Sequence, residues 1–130
     1  METIKVKKHS KIPNGFTGIA EWFDGTKGWF VDGKYHREDG PAWEGADGSK
    51  EWHLNGKLHR EDGPAWEDAN GTKEWWLNDC CVYALRKSIV DYIVVEDGLP
   101  STMEWLGKPV PTLKVLTATG ICFIPNLPGI

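Results

Sequence analysis

The sequence predicts a mainly β fold: an antiparallel meander of about three 23-residue hairpin repeats, then one amphipathic helix and a C-terminal β-hairpin cap. Three observations carry that reading. The string HREDGPAWE occurs twice, at 36–44 and 59–67. At the same period Trp29, Trp52 and Trp75 align, as do the turn dipeptides Asp24-Gly25, Asp47-Gly48 and Asn70-Gly71. Asp-Gly and Asn-Gly between short strand-like runs are strong hairpin signals, because tight turns need residues that tolerate positive φ.

Taken in order, residues 1–16 form an N-terminal strand or arm, with Lys5, Lys7, Lys8, His9 and Lys11 as the one basic cluster. That cluster reads as a solvated strand end. Residues 17–79 form the repeat array, in units of about 17–39, 40–62 and 63–85. The first unit opens TGIAEW instead of GPAW. The third replaces HRED with NDCCVY, and atypical ends are usual where a stacked array meets different neighbours. Two-residue loops at Asp47-Gly48 and Asn55-Gly56 set Trp43 opposite Trp52, Glu44 opposite Glu51, Trp52 opposite His59 and Glu51 opposite Arg60. In this register Arg60 bridges a Glu44–Glu51 pair that would otherwise repel. The stretch 60–64 is a turn, with Gly63 supplying positive φ and Pro64 restarting a strand.

Residues 80–130 form the cap. Val82, Leu85, Ile89 and Ile93 fall at helical spacing, which predicts one helix over about 82–95, ended by Asp97-Gly98. Ser101 to Glu104 reads as a capping box opening a short helical turn. Lys108 to Pro111 is extended. Leu113–Thr117 and Ile121–Ile124 make a last hairpin around Thr119-Gly120.

Composition narrows function. The chain has 130 residues, eight of them Trp, and a net charge of −4, which argues against a broad electrostatic grip on nucleic acid. No apolar run reaches a membrane span and the N-terminus lacks a signal-peptide core, so a cytoplasmic location is expected. Cys80, Cys81 and Cys122 have neither disulfide nor zinc spacing and are expected to be buried reduced thiols. No cofactor, metal or catalytic residue is expected. There is no phosphate-binding Gly loop, no H-E-x-x-H and no G-x-S-x-G, and a nucleophile from Cys80 or Cys81 beside His59 lacks a third orienting group.

The candidate binding residues are Phe30, Tyr35, His53 and Trp76, with Arg37 and Arg60. Phe30, His53 and Trp76 occupy equivalent strand positions away from the Trp stripe, where a solvated sheet face would be polar. Either the C-terminal segment covers them or they dock a partner. Phe30 and His53, furthest in sequence from the cap, are expected to stay partly exposed.

The unit from Glu51 to Gly71 resembles the MORN-type repeat family: Trp52, Asn55-Gly56-Lys57, His59, Gly63 and Asn70-Gly71 match in type and order. The segment from Arg60 to Ala65 departs from that pattern, and its HREDGPA form resembles repeats in small proteins of bacteriophages and their hosts. The resemblance covers about residues 17–79. It implies a β-hairpin array with a binding role and no catalytic residues. In that setting the expected function is a phage-type accessory protein that interferes with host defence, in the host cytoplasm, by binding and blocking a host protein. The alternatives are sequestering of a small nucleotide-like ligand, with Arg37, Arg60 or Arg86 on phosphate, and a structural adaptor. An open sheet edge also offers a route to a homo-oligomer.

Overall fold

The computed structural model describes residues 2–7, 11–86 and 91–130. Among them every regular element is a strand. The predicted helix is the main correction. Its span holds β11 (Cys80–Leu85) and β12 (Tyr92–Leu99), while 87–90, including Ile89, lie outside the described residues. Lys8 and His9 of the basic cluster lie outside them too. The helical spacing has a β explanation. β11 pairs with β10 (Lys73–Leu77) across Asn78-Asp79, and the register slips between Trp75 and Trp76. That bulge leaves Val82 out of step, so Val82, Tyr83 and Leu85 all reach the core. This accounts for Val82 and Leu85 in the helical spacing, whereas Ile93 lies exposed on β12.

The array forms one sheet. β1 (Thr3–Val6) runs parallel to β2 (Gly18–Trp22), and the neighbours continue antiparallel through β3 (Lys27–Val31), β5 (Trp43–Glu44), β6 (Lys50–Glu51), β9 (Trp66–Glu67), β10 and β11. A side hairpin branches from each of the first two units. β4 (Lys34–Tyr35) folds back on the end of β3, and β7 (His53–Leu54) pairs with β8 (Lys57–Leu58). These hairpins turn at Asp32-Gly33 and Asn55-Gly56, where both residues have positive φ, as a two-residue loop requires. Asn78 and Asp79 repeat that geometry in the third unit. His59 duly lies opposite Trp52, donating its backbone N–H to the Trp52 carbonyl at 3.0 Å.

The Asp-Gly turns behave differently, and this corrects the predicted register. Only the glycine takes positive φ there: Gly25, Gly48 and Gly71 at 93–94°. The Gly48 N–H returns to the Gly45 carbonyl while the Gly45 N–H reaches the Ser49 carbonyl. This loop has three residues, one more than a two-residue turn, and the preceding Asp47 carboxylate holds the Ser49 N–H at 2.9 Å. Trp43 therefore pairs with Glu51 and Glu44 with Lys50. A one-residue slip moves side chains to the opposite face, so Trp43 and Trp52 do not share one. The Glu–Glu pair disappears with it. In its place runs an alternating ladder across seven strands: Lys5, Glu21, Lys27, Glu44, Lys50, Glu67 and Lys73. Opposite charges face each other at every step, so no arginine is needed to bridge them.

Two cores lie at the ends of the array. The N-terminal one joins Val6, Phe16, Ala20 and Phe30. The C-terminal one joins Trp75 and Leu85 to Trp105, Val110, Leu113, Val115, Ile124 and Leu127. The last hairpin of the sequence reading is present as β15 (Thr112–Thr117) and β16 (Gly120–Pro125), with β12 on the other side of β15. The capping box is not a helix start. The Ser101 hydroxyl accepts the Met103 N–H at 3.1 Å, and the chain enters a tight hairpin of β13 (Glu104–Trp105) and β14 (Lys108–Pro109). Leu106 and Gly107 turn it with positive φ, which a helix does not permit.

Candidate functional site: the groove between the HRED loops

The repeated motif resolves residue by residue. In each copy the histidine Nδ1 accepts a backbone N–H from the next unit's tight turn: His36 from Asn55 at 2.9 Å, His59 from Asn78 at 3.1 Å. The neutral ring therefore carries its proton on Nε2, facing Glu38 at 3.7 Å and Glu61 at 3.6 Å. The arginine sits over its own unit's tryptophan, with Arg37 Cζ 4.1 Å from the Trp29 ring centre and Arg60 Cζ 4.0 Å from that of Trp52. Its Nε donates to Asp39 or Asp62 at 2.9 and 3.0 Å, and its Nη1 to the Pro41 or Pro64 carbonyl at 3.1 and 3.0 Å.

The glycine has a steric reason that differs from the expected positive φ, which Gly40 and Gly63 do not adopt. A Cβ on Gly40 would sit 2.9 Å from Arg37 Cζ, and one on Gly63 2.7 Å from Arg60 Cζ. Only glycine lets the guanidinium fold back against the chain. The alanine is then fully buried in both copies, Ala42 and Ala65 at 0% exposure, its N–H paired to Glu51 or Glu74.

The two loops flank one groove of about 710 Å³, with Trp52, Leu54 and Pro41 supplying apolar wall and Arg37 and Arg60 on its sides. Its rim is acidic. The side chains of Glu38, Asp39 and Asp62 are 85–88% exposed and that of Glu61 63%. The Arg37 guanidinium hydrogen-bonded to Asp39 holds that carboxyl below the ordinary aspartate range. The second loop is tied down by the C-terminal segment: Trp105 Nε1 donates to the Glu61 carbonyl at 3.0 Å, and Gly129 packs against Pro64 so closely that its Cβ would lie 2.9 Å from Pro64 Cδ.

The structure divides the predicted binding residues. Arg37 and Arg60 line this groove. Phe30, Tyr35 and His53 stack on the opposite side of the sheet, with ring centres 4.5 Å and then 5.4 Å apart. Phe30 is 4% exposed and belongs to the core, contrary to the expectation that it stays partly open. What covers it is the N-terminal segment, chiefly Phe16, whereas the C-terminal segment packs on Trp75. Gly28 makes room for this stack, since a Cβ there would lie 2.9 Å from both the Phe30 and Tyr35 rings.

Tyr35 and His53 are half-buried, and burial, with the Glu51 charge, pushes the Tyr35 phenol up. His53 Nε2 meets Glu51 at 2.9 Å, and its buried Nδ1 has no partner among the described residues. Trp76 Nε1 donates to Glu74 at 2.8 Å, which repeats the His53–Glu51 arrangement one unit on. The row is thus a stabilising stack that closes at its N-terminal end.

The chain matches no family model, no curated protein and no solved structure. Among the described residues no group of His, Cys, Asp or Glu is arranged to hold a metal ion, and no helix is long and apolar enough to cross a membrane. The cysteines are not the buried thiols expected: Cys80 and Cys81 are exposed and Cys122 is half-buried. Cys81 is a weak nucleophile, because partial desolvation of its sulfur and then the nearby Glu74 push its thiol up.

Glu38, Asp39, Glu61 and Asp62 were not singled out by sequence reasoning. The signal was available, because a Gly-Pro directly after two acids turns the chain before those side chains can join a strand face.

Proposed function

We propose that the chain is a non-catalytic binding protein that docks a partner protein in the groove between its HRED loops. The setting follows from the phage-type resemblance: a small accessory protein that binds and blocks a host protein. One observation carries the choice of a protein over a nucleotide-like ligand. Both arginines in the groove are already engaged by an aspartate, a proline carbonyl and a tryptophan face, while the carboxylates around them are left to solvent. A phosphate would meet an acidic rim and two guanidinium charges already offset by Asp39 and Asp62. A protein surface offering lysine or arginine beside apolar side chains complements acids over Trp52 and Leu54.

Pull-down from host lysate, with native mass spectrometry of the freshly purified protein in parallel, tests this reading. The expected result is a captured protein whose binding falls at least tenfold, about 1.4 kcal/mol, when Glu38→Lys and Glu61→Lys are combined. A retained small anion with no captured protein overturns it.

A further inference from the structure

We propose that the outward face of the C-terminal sheet is a dimer interface, occupied by a second copy of this chain. The sheet β12–β15–β16 covers the core on one side only, through Leu113, Val115 and Ile124. An antiparallel sheet with one wet face normally carries polar residues there. This one does not. Ile93, Leu116 and Ile121 stand side by side in register across the three strands, 69%, 44% and 52% exposed. One row along, Phe123 is 60% exposed beside Lys114, and Lys114 is beside Glu96. Paired residues point to the same side, so these two rows form a continuous apolar strip with a single lysine and a single glutamate at one flank.

The charges identify the occupant. Lys114 and Glu96 are cross-strand neighbours, yet no ion pair joins them among those found between the described residues. A two-fold axis parallel to the strands, over the line between β12 and β15, exchanges those two strands between copies. It places Lys114 over the second copy's Glu96 and Leu116 over its Ile93, and by symmetry does both twice. The strip is locally neutral on a chain of net charge −4, so it matches itself better than it matches a strongly basic or acidic partner. This face is distinct from the HRED groove, and the inference does not rest on what that groove binds.

Sedimentation equilibrium from micromolar to near-millimolar concentration tests it. The wild-type chain is expected to approach twice its 14.6 kDa mass. Lys114→Glu sets two carboxylates together across the axis, and Glu96→Lys sets two ammonium groups together. Each variant alone is expected to dimerise at least tenfold more weakly. An equimolar mixture of the two is expected to recover wild-type affinity as a heterodimer, because every contact then joins opposite charges. That recovery separates an interface from any loss of folding in the single variants, which circular dichroism also checks. A wild-type chain that stays monomeric throughout overturns the proposal. So does a mixture no stronger than its components.

Discussion

Trp52 and Trp75 occupy the same position in successive units and are finished in opposite ways. Over Trp52 lies the guanidinium of Arg60, held by Asp62 and Pro64 and open to water beyond. Trp75 has no arginine. Tyr83 takes that sequence position, 5.8 Å from the ring, and the C-terminal core closes over both. Its indole N–H donates to the Pro128 carbonyl at 2.7 Å, 53 residues along the chain. The difference teaches what HRED is for. A tryptophan on a thin two-residue-strand sheet needs a lid, and the motif is a lid made from local sequence. Where a second layer supplies cover, the motif is dispensable. Only the local lid leaves carboxylates facing solvent, so the two uncapped units are also the ones that build a groove.

The comparison is broken most directly by truncating both rings. Trp75→Ala is expected to cost about 3–5 kcal/mol, the usual range for emptying a buried aromatic site. Trp52→Ala is expected to cost about 2 kcal/mol, because part of that indole is already wet. Denaturant melts that rank the two equally would mean that the arginine lid is as complete as the core.

The next largest effect belongs to Gly63→Ala. Its Cβ would meet Arg60 Cζ at 2.7 Å and force the guanidinium off the ring. The expected cost is about 1–2 kcal/mol, as for overpacking, together with a change in tryptophan fluorescence. Unchanged stability would show that the arginine has another place to go.

A smaller effect sharpens the same point. Arg60→Ala is expected to lose about 1 kcal/mol of stacking and hydrogen bonding. In double-mutant cycles it should couple to Asp62→Asn and be additive with Glu51→Gln. Coupling to Glu51 instead would restore the acidic pair with an arginine bridge that the register excludes.

The smallest effect is on acid stability. The Arg37 hydrogen bond lowers the Asp39 carboxyl, and backbone N–H groups of Thr26 and Ser49 lower Asp24 and Asp47. A group depressed in the folded state stabilises above its unfolded pKa, and that contribution fades as pH falls through the folded value. Melting temperature should therefore drop as pH goes below the ordinary aspartate range, and Asp39→Asn with Asp47→Asn should flatten the decline. An equally steep decline in that double variant would place the acid-sensitive groups elsewhere.

Sequence alone determined the repeat, its period, the tight turns at Asn55-Gly56 and the final hairpin. These rest on local chemistry: which residues accept positive φ, and which alternate between two faces. Tertiary structure decided the rest. The one-residue difference between Asp47-Gly48 and Asn55-Gly56 turns set which residues face each other, because an added loop residue shifts the whole register. The bulge at Trp75/Trp76 decided that 80–85 is a strand although its apolar spacing suits a helix. Burial of Phe30 came from Phe16, fourteen positions earlier in the loop before β2, which no pattern within one strand predicts. Arg60 chose its neighbouring Asp62 and Trp52 over Glu51 because Gly63 lets the chain fold back under it. Local propensity fixes the turns, but the partner of a long or aromatic side chain is settled by whichever surface the assembled chain brings within reach.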